Sequence, residues 1–188
     1  MLSLEWLAAG LGLLGVVLGL RENVWVWPVF IASSAIYLAV YLRVDLIGQA
    51  VLMLVFILTS LWGLWNWRQA NTGLSGSVLK GPGWLTTAQR LYFLLAVVVL
   101  AAAFFIWFAG MEQHPNPWLD ASVTAVSLIA MVLMGMKRID CWLAWLAANA
   151  ASVVLFVQQA LWPTAALYFI QFGLAYWGLR LWTRRQAL

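Results

Sequence analysis

Residues 140–158 read DCWLAWLAANAASVVLFVQ, a helix-length run whose single charge is its first residue. Trp142, Trp145 and Asn149 stand at i, i+3 and i+7, so two indoles and a carboxamide share one helix face. A carboxamide gains nothing from hydrocarbon, so that face is expected to point into the protein, towards something flat and polar. It reads as a binding wall.

The rest of the chain has the same character. Of 188 residues, 65% are hydrophobic and 9% charged, against about 45–50% apolar usage in a soluble domain. Crossing a hydrocarbon core of about 30 Å takes roughly 20 helical residues. Seven stretches qualify, near 3–20, 24–42, 46–66, 90–110, 118–136, 140–158 and 162–183. The expected fold is all-α, a polytopic membrane protein with seven transmembrane helices. The first stretch carries Glu5 where a signal peptide would carry cations, and it lacks an A-x-A site, so it is expected to remain as a span. The lone Cys141 excludes an internal disulfide and a Cys-rich metal cluster.

A formal charge of +4 suggests nucleic acid until the cations are placed. With seven spans, Arg21, Arg68, Lys80, Arg90, Lys137, Arg138, Arg180, Arg184 and Arg185 fall on one side and only Arg43 on the other. By the positive-inside rule the C-terminus is cytoplasmic and the N-terminus outside, with Glu5, Asp45, Glu112 and Asp120 on the outer side. The partner this implies is the lipid bilayer, with no role for nucleic acid.

Gly, Ser, Asn and Pro crowd the segment from Gln69 to Gln89, which is linker chemistry. A second linker, Met111 to Pro117, breaks the helix before the fifth span. The expected division is 1–68 for a first three-helix repeat, 69–117 for the linker and fourth helix, and 118–188 for a second repeat and cytoplasmic tail. A gapless shift of 115 residues relates the repeats. It pairs Glu5 with Asp120, Trp27 with Trp142, and Trp62, Gly63, Leu64 and Trp67 with Trp177, Gly178, Leu179 and Trp182. Leu and Ala matches are cheap in so apolar a chain; three aligned tryptophans are not. Three plus one plus three spans make the repeats two parallel triple-helix bundles, one of the plans on which transporters are built, with substrate between the halves.

Enzyme chemistry finds no constellation. His114 is the only histidine, which leaves a catalytic triad or His-based metal site without partners, and no GxGxxG or GxxxxGK loop is present. Neither a cofactor nor a metal is expected. Spans two to four, six and seven lack a buried mid-span acid of the kind ion-coupled carriers use, which favours facilitated diffusion.

What remains inside the spans is amide, hydroxyl and aromatic. Asn149 and Gln171 sit deep in helices, where an unsatisfied polar group costs a few kcal/mol. Gln49, Met53, Phe56 and Ser60 share a face of the third span, and their mates Thr164, Tyr168, Gln171 and Ala175 share one on the seventh. The second span offers Trp27, Ser34 and Tyr41 on one stripe with Tyr37 beside it; Ser34 is the mate of Asn149. Trp25, Trp65, Trp67, Trp84, Trp118, Trp162 and Trp182 lie at span ends and read as an interfacial belt. Flat aromatics beside amides suit a heteroaromatic ligand, whose stacking contributes roughly 1–3 kcal/mol. A cationic ring adds about 0.5–2 kcal/mol over an indole face. No cluster of buried Arg or Lys awaits a phosphate, so the reading favours a nucleoside or vitamin over a nucleotide. The rival class is a non-transporting membrane scaffold.

Arg21, Asn23, Trp27-Pro28, Tyr37, the run from Leu46 to Trp67, Pro117-Trp118-Leu119-Asp120 and the WxxW of Trp142 and Trp145 followed by Asn149 resemble the PnuC family of vitamin transporters. The resemblance runs from Glu5 to Trp182. It implies a fold similar to the SWEET sugar transporters, a homotrimer in the bacterial inner membrane, and uptake of nicotinamide riboside trapped by cytoplasmic kinases. It also implies that Trp142, Trp145 and Asn149 line the substrate pocket. Where family members commonly carry an Asp and then Leu-Gln on the third span, this chain has Gln49 and Leu52-Met53. Loss of that glutamine leaves thiamine and riboflavin, carried by relatives of the same fold, as alternative substrates.

Overall fold

The computed structural model describes residues 2–43, 47–72, 81–110, 116–158 and 160–187. Among them the chain is all-helical, with α1 Leu2–Leu20, α2 Val26–Arg43, α3 Ile47–Thr72, α4 Thr87–Ala109, α5 Pro117–Gly135, α6 Asp140–Gln158 and α7 Trp162–Gln186. Asp45, Lys80, Glu112 and His114, and most of the second linker, lie outside the described residues, as does the side chain of Glu5. Among the described residues five helices are long and apolar enough to cross a bilayer: Val26–Arg43, Gln49–Ala70, Thr87–Ala109, Pro117–Gly135 and Asp140–Gln158. In α1 the described apolar stretch is Trp6–Leu20. Helix α7 rises about 37 Å and carries Arg180, Arg184 and Arg185 in its final two turns.

The chain forms two compact units, Met1–Gly81 and Pro82–Leu188. In the first, α2 packs against both α1 and α3; in the second, α4 packs on α5, α5 on α6 and α6 on α7. The pairings α1–α2 and α2–α3 therefore recur as α5–α6 and α6–α7. Helix α4 belongs to the second unit.

The turns repeat as closely as the helices. At the end of α1, Glu22 takes a left-handed φ of 55°, and at the end of α5, 115 residues on, Lys137 takes 52°. The first turn closes with Glu22 N–H donating to Gly19 O (3.0 Å) and Asn23 N–H to Leu18 O (3.0 Å). The second closes with Lys137 N–H on Met134 O (3.0 Å) and Arg138 N–H on Leu133 O (2.8 Å). Each turn thereby satisfies two of the carbonyls a helix end leaves orphaned.

Two boundaries move from expectation. Helix α3 continues past Trp67 to Thr72, and α4 begins at Thr87, so both ends of the expected linker are helical. Arg68, Gln69 and Ala70 are good helix formers despite their polar company. Thr86 starts α4 through a capping box, its hydroxyl accepting from Gln89 N–H (3.3 Å) while the Gln89 side chain accepts from Thr86 N–H (3.0 Å).

The residues before α4 are stitched to the α5–α6 turn. Gly83 N–H donates to Lys137 O (3.2 Å) and Ile139 N–H to Gly83 O (3.0 Å). The buried Asp140 carboxylate accepts from Leu85 N–H (2.8 Å) and from Arg90 Nε (2.8 Å). The guanidinium is half exposed, so its share of this ion pair is screened. Asp140→Ala is accordingly expected to lower stability by about 2 kcal/mol, because Leu85 N–H is left buried and unmet. Arg90→Ala should cost about 1 kcal/mol or less; thermal unfolding of both variants in detergent checks the order.

Cys141, one residue on, is fully buried. As the chain's only thiol it should resist maleimide under native conditions and label completely once detergent-denatured, a direct readout of opening at the start of α6.

Candidate functional site

Each repeat builds one helix seam in the same way. In the first, Trp27 of α2 sits against Gly63 of α3, where an added β-carbon would stand 2.5–2.6 Å from three indole atoms. Trp67 meets the same indole edge to face, with centroids 5.3 Å apart and planes at 89°. In the second, Trp142 of α6 sits against Gly178 of α7 with the same 2.5–2.6 Å approach. Trp182 completes it at 5.4 Å and 88°. All three positions differ by 115. Such aromatic pairs contribute about 0.5–1.5 kcal/mol beyond their buried area, and the glycines let the backbones close on the rings.

This geometry redistributes the tryptophans. Trp67 and Trp182, expected in the interfacial belt, are buried, since each is needed to fill the seam beside its glycine. Trp25, Trp65, Trp118 and Trp162 are exposed, as a belt requires. Trp84 instead lies half-buried beneath the Arg90 guanidinium, 5.4 Å from its ring centroid. Trp27 and Trp142, expected to show their faces to a ligand, are enclosed within their own seams. Trp145 keeps partial access.

The register of the second seam locates Asn149. Helix α6 touches α7 at Trp142–Gly178, and again at Phe156–Tyr168, whose rings stack at 5.2 Å and 14°. Asn149 is seven residues from either contact on α6, hence on nearly the same stripe. It faces the stretch of α7 between Tyr168 and Gly178, which contains half-buried Gln171 and buried Ala175. Asn149 is 3% exposed, and among the described residues no hydrogen bond engages its carboxamide. Ser152, one turn further along α6, is buried too.

The first seam places its own polar group at the matching depth. Ser34, mate of Asn149, lies seven residues beyond Trp27 and is half-buried, while Ser60 of α3 is fully buried with its Oγ unpartnered among the described residues. Along α3 the face of Gln49, Met53, Phe56 and Ser60 passes from half-buried to buried, and Thr164, Tyr168, Gln171 and Ala175 of α7 follow the same gradient. Tyr37 stacks on Tyr41 at 5.8 Å and 15°. Ser33, one residue before Ser34, donates to Ala8 O (2.8 Å) and so joins α1 to α2.

Of the residues expected to form a site, the second unit thus gathers Trp145, Asn149, Tyr168 and Gln171 along one seam, with Trp142 beneath them. The first unit holds Ser34, Tyr37, Gln49 and Met53 on α2 and α3, with Trp27 in the corresponding foundation. Ser152 was missed, although it is legible as the repeat mate of Tyr37. Asp140 was also missed as a buried polar group. Among the described residues no group of three or more His, Cys, Asp or Glu could hold a metal.

A chain with these seams has known counterparts. The sequence model of the nicotinamide mononucleotide transporter family matches residues 2–184. This chain belongs to that family. Membership makes it a multi-pass membrane transporter, and the resemblance to PnuC proteins read from the WxxW and Asn149 is borne out. Among family relatives, the riboflavin/roseoflavin transporter RibM of Streptomyces davaonensis is 28% identical over 178 residues, covering 93% of this chain and 82% of RibM. The nicotinamide riboside transporter PnuC of Escherichia coli is 25% identical over 207 residues, covering 96% and 86%. The crystal structure of a vitamin B3 transporter PnuC shares the fold with a TM-score of 0.75 at 23% identity, covering 96% of this chain and 80% of that one.

Proposed function

We propose that this transporter admits nicotinamide riboside to the cell by facilitated diffusion, with phosphorylation in the cytoplasm holding the product inside. The observation that carries the reading is the Asn149 carboxamide, buried near the middle of its span without a partner among the described residues, on a stripe with Trp145 and facing Gln171. A ligand with ring or ribose hydrogen-bonding groups would give that amide the partners the fold does not supply. Trp145 and Tyr168 supply faces for the ring, and Gln171 a further polar contact within the same unit. Trp142 and Trp27 act one layer down, fixing the helices that carry these groups. The spans hold no cluster of cations for a phosphate, so the substrate enters without one.

The same reading carries an N-terminus outside, a cytoplasmic C-terminus and a homotrimer in the bacterial inner membrane. Three-helix repeats α1–α3 and α5–α7 are joined in sequence through α4. A second substrate, riboflavin, is favoured by a specific observation: RibM is a relative over 93% of the chain, and Met53 stands where a glutamine is expected. Titration calorimetry of purified protein with nicotinamide riboside, riboflavin and thiamine tests the proposal. Saturable binding of the first is the expected outcome, and heat from riboflavin alone would transfer the assignment to it. No heat from any of the three would remove the vitamin reading.

A further inference from the structure

The second unit contains a slot distinct from the α6–α7 seam. It lies between α4, α5 and α6, encloses about 380 Å³, and is walled by Phe93, Val97, Val126, Ile129, Leu143 and Ala147. Arg90 and Asp140 stand at one end. All three walls run seven residues inwards from that end, 90 to 97 on α4, 133 to 126 on α5 and 140 to 147 on α6, so the slot is about 10 Å long.

The mouth has an unspent charge. Arg90 gives its Nε to Asp140 and its face to Trp84, and among the described residues its two terminal NH2 groups have no partner. The guanidinium of Arg138 rests on Gly83 nearby, its Nε buried without a partner among the described residues. Against Arg90 and Arg138 stands, among the described residues lining the mouth, the carboxylate of Asp140.

The geometry points to an anionic phospholipid, its phosphate on the Arg90 fork and one acyl chain in the slot. A guanidinium presents paired N–H groups to phosphate oxygens, and a tube of Leu, Val, Ile and Phe side chains accepts methylenes. A vitamin would find little for its hydroxyls along the slot, since among the described residues lining it Arg90 and Asp140, both at the mouth, are the only polar side chains. The slot begins at the basic end of the helices and penetrates about a third of a 30 Å hydrocarbon core, which is the path of a lipid tail. Bound there, the lipid braces α4, otherwise the most lipid-exposed helix of this unit, against α5 and α6.

Native mass spectrometry of the full-length protein, titrated separately with phosphatidylglycerol and phosphatidylcholine, tests this. The wild type should retain phosphatidylglycerol at about fivefold lower concentration, the effect of one interfacial cation. Arg90→Gln should erase that preference, and Ala144→Phe, which fills the slot and leaves the ion pair intact, should reduce retention of both lipids. Unfolding midpoints measured alongside separate loss of lipid from loss of fold, and Ala144→Phe decides the matter should Arg90→Gln not fold. Equal retention by the wild type and a folded Ala144→Phe would overturn the proposal. Efficient disulfide cross-linking of Ala147→Cys to a second copy in membranes, or displacement of the lipid by nicotinamide riboside, would also overturn it.

Discussion

Gly178→Ala lowers the unfolding midpoint of the purified transporter by roughly 5 °C, and Gly63→Ala lowers it by a similar amount. Alanine in a helix interior is favoured over glycine by about 1 kcal/mol, so propensity alone gives the opposite sign. Steric overlap decides the outcome. The new β-carbon would lie 2.5 Å from the Trp142 indole in one case and 2.5 Å from that of Trp27 in the other. Each indole is buried and meets Trp182 or Trp67 edge to face, so it has little freedom to move aside. Overpacking of this kind costs about 1–3 kcal/mol, and each net kcal/mol is worth about 2–4 °C in a chain of this size. Gly173→Ala is the control on the same helix, since its β-carbon meets nothing within 4 Å; its midpoint should hold or rise. Trp142→Phe combined with Gly178→Ala should recover part of the loss. Equal midpoints for the Gly63, Gly173 and Gly178 variants would show that neither glycine sets the helix spacing.

Asn149→Leu should have the opposite profile, with substrate affinity reduced at least tenfold and stability unchanged or raised. Most buried amides are tied into hydrogen bonds whose loss destabilises the fold. Here no such bond exists among the described residues, so replacing the amide with an apolar group of similar volume takes no hydrogen bond from the empty protein. The same substitution removes the group on which ligand orientation depends. Gain of stability with loss of function marks a residue held for its ligand. Trp145→Ala should also weaken binding about tenfold, through lost stacking, but with some loss of packing. A destabilised Asn149→Leu that binds normally would return the residue to a purely structural role.

The helices and their repetition were legible because few physical constraints act on a chain in lipid. Every backbone polar group must be satisfied internally, so a run such as 140–158 has one conformation open to it. The offset of 115 was readable because tryptophan is costly to place, and Trp27, Gly63 and Trp67 could not coincide with Trp142, Gly178 and Trp182 by composition alone. What sequence could not reveal was direction around the helix at close range. Trp142 and Trp145 are three residues apart and share a face, yet one is sealed against Gly178 and the other keeps access. The clue lay in the glycine of the partner helix, whose role depends on a register that sequence does not state. The pairing of Asp140 with Leu85 and Arg90 escaped for a related reason, since 50 residues separate the acid from its cation. Ser152 escaped because a serine inside a helix carries little signal until its mate, Tyr37, is suspected.

Counterflow in proteoliposomes reaches the central claim most directly, that an uncharged seam passes a flat vitamin downhill. Vesicles preloaded with unlabelled nicotinamide riboside and held without ion gradients are diluted into labelled substrate, with the wild type and Asn149→Leu compared. Transient accumulation of label by the wild type, absent in the variant, is the predicted result. Uptake by the wild type only when a proton or sodium gradient is imposed, or identical uptake by both proteins, would contradict the account.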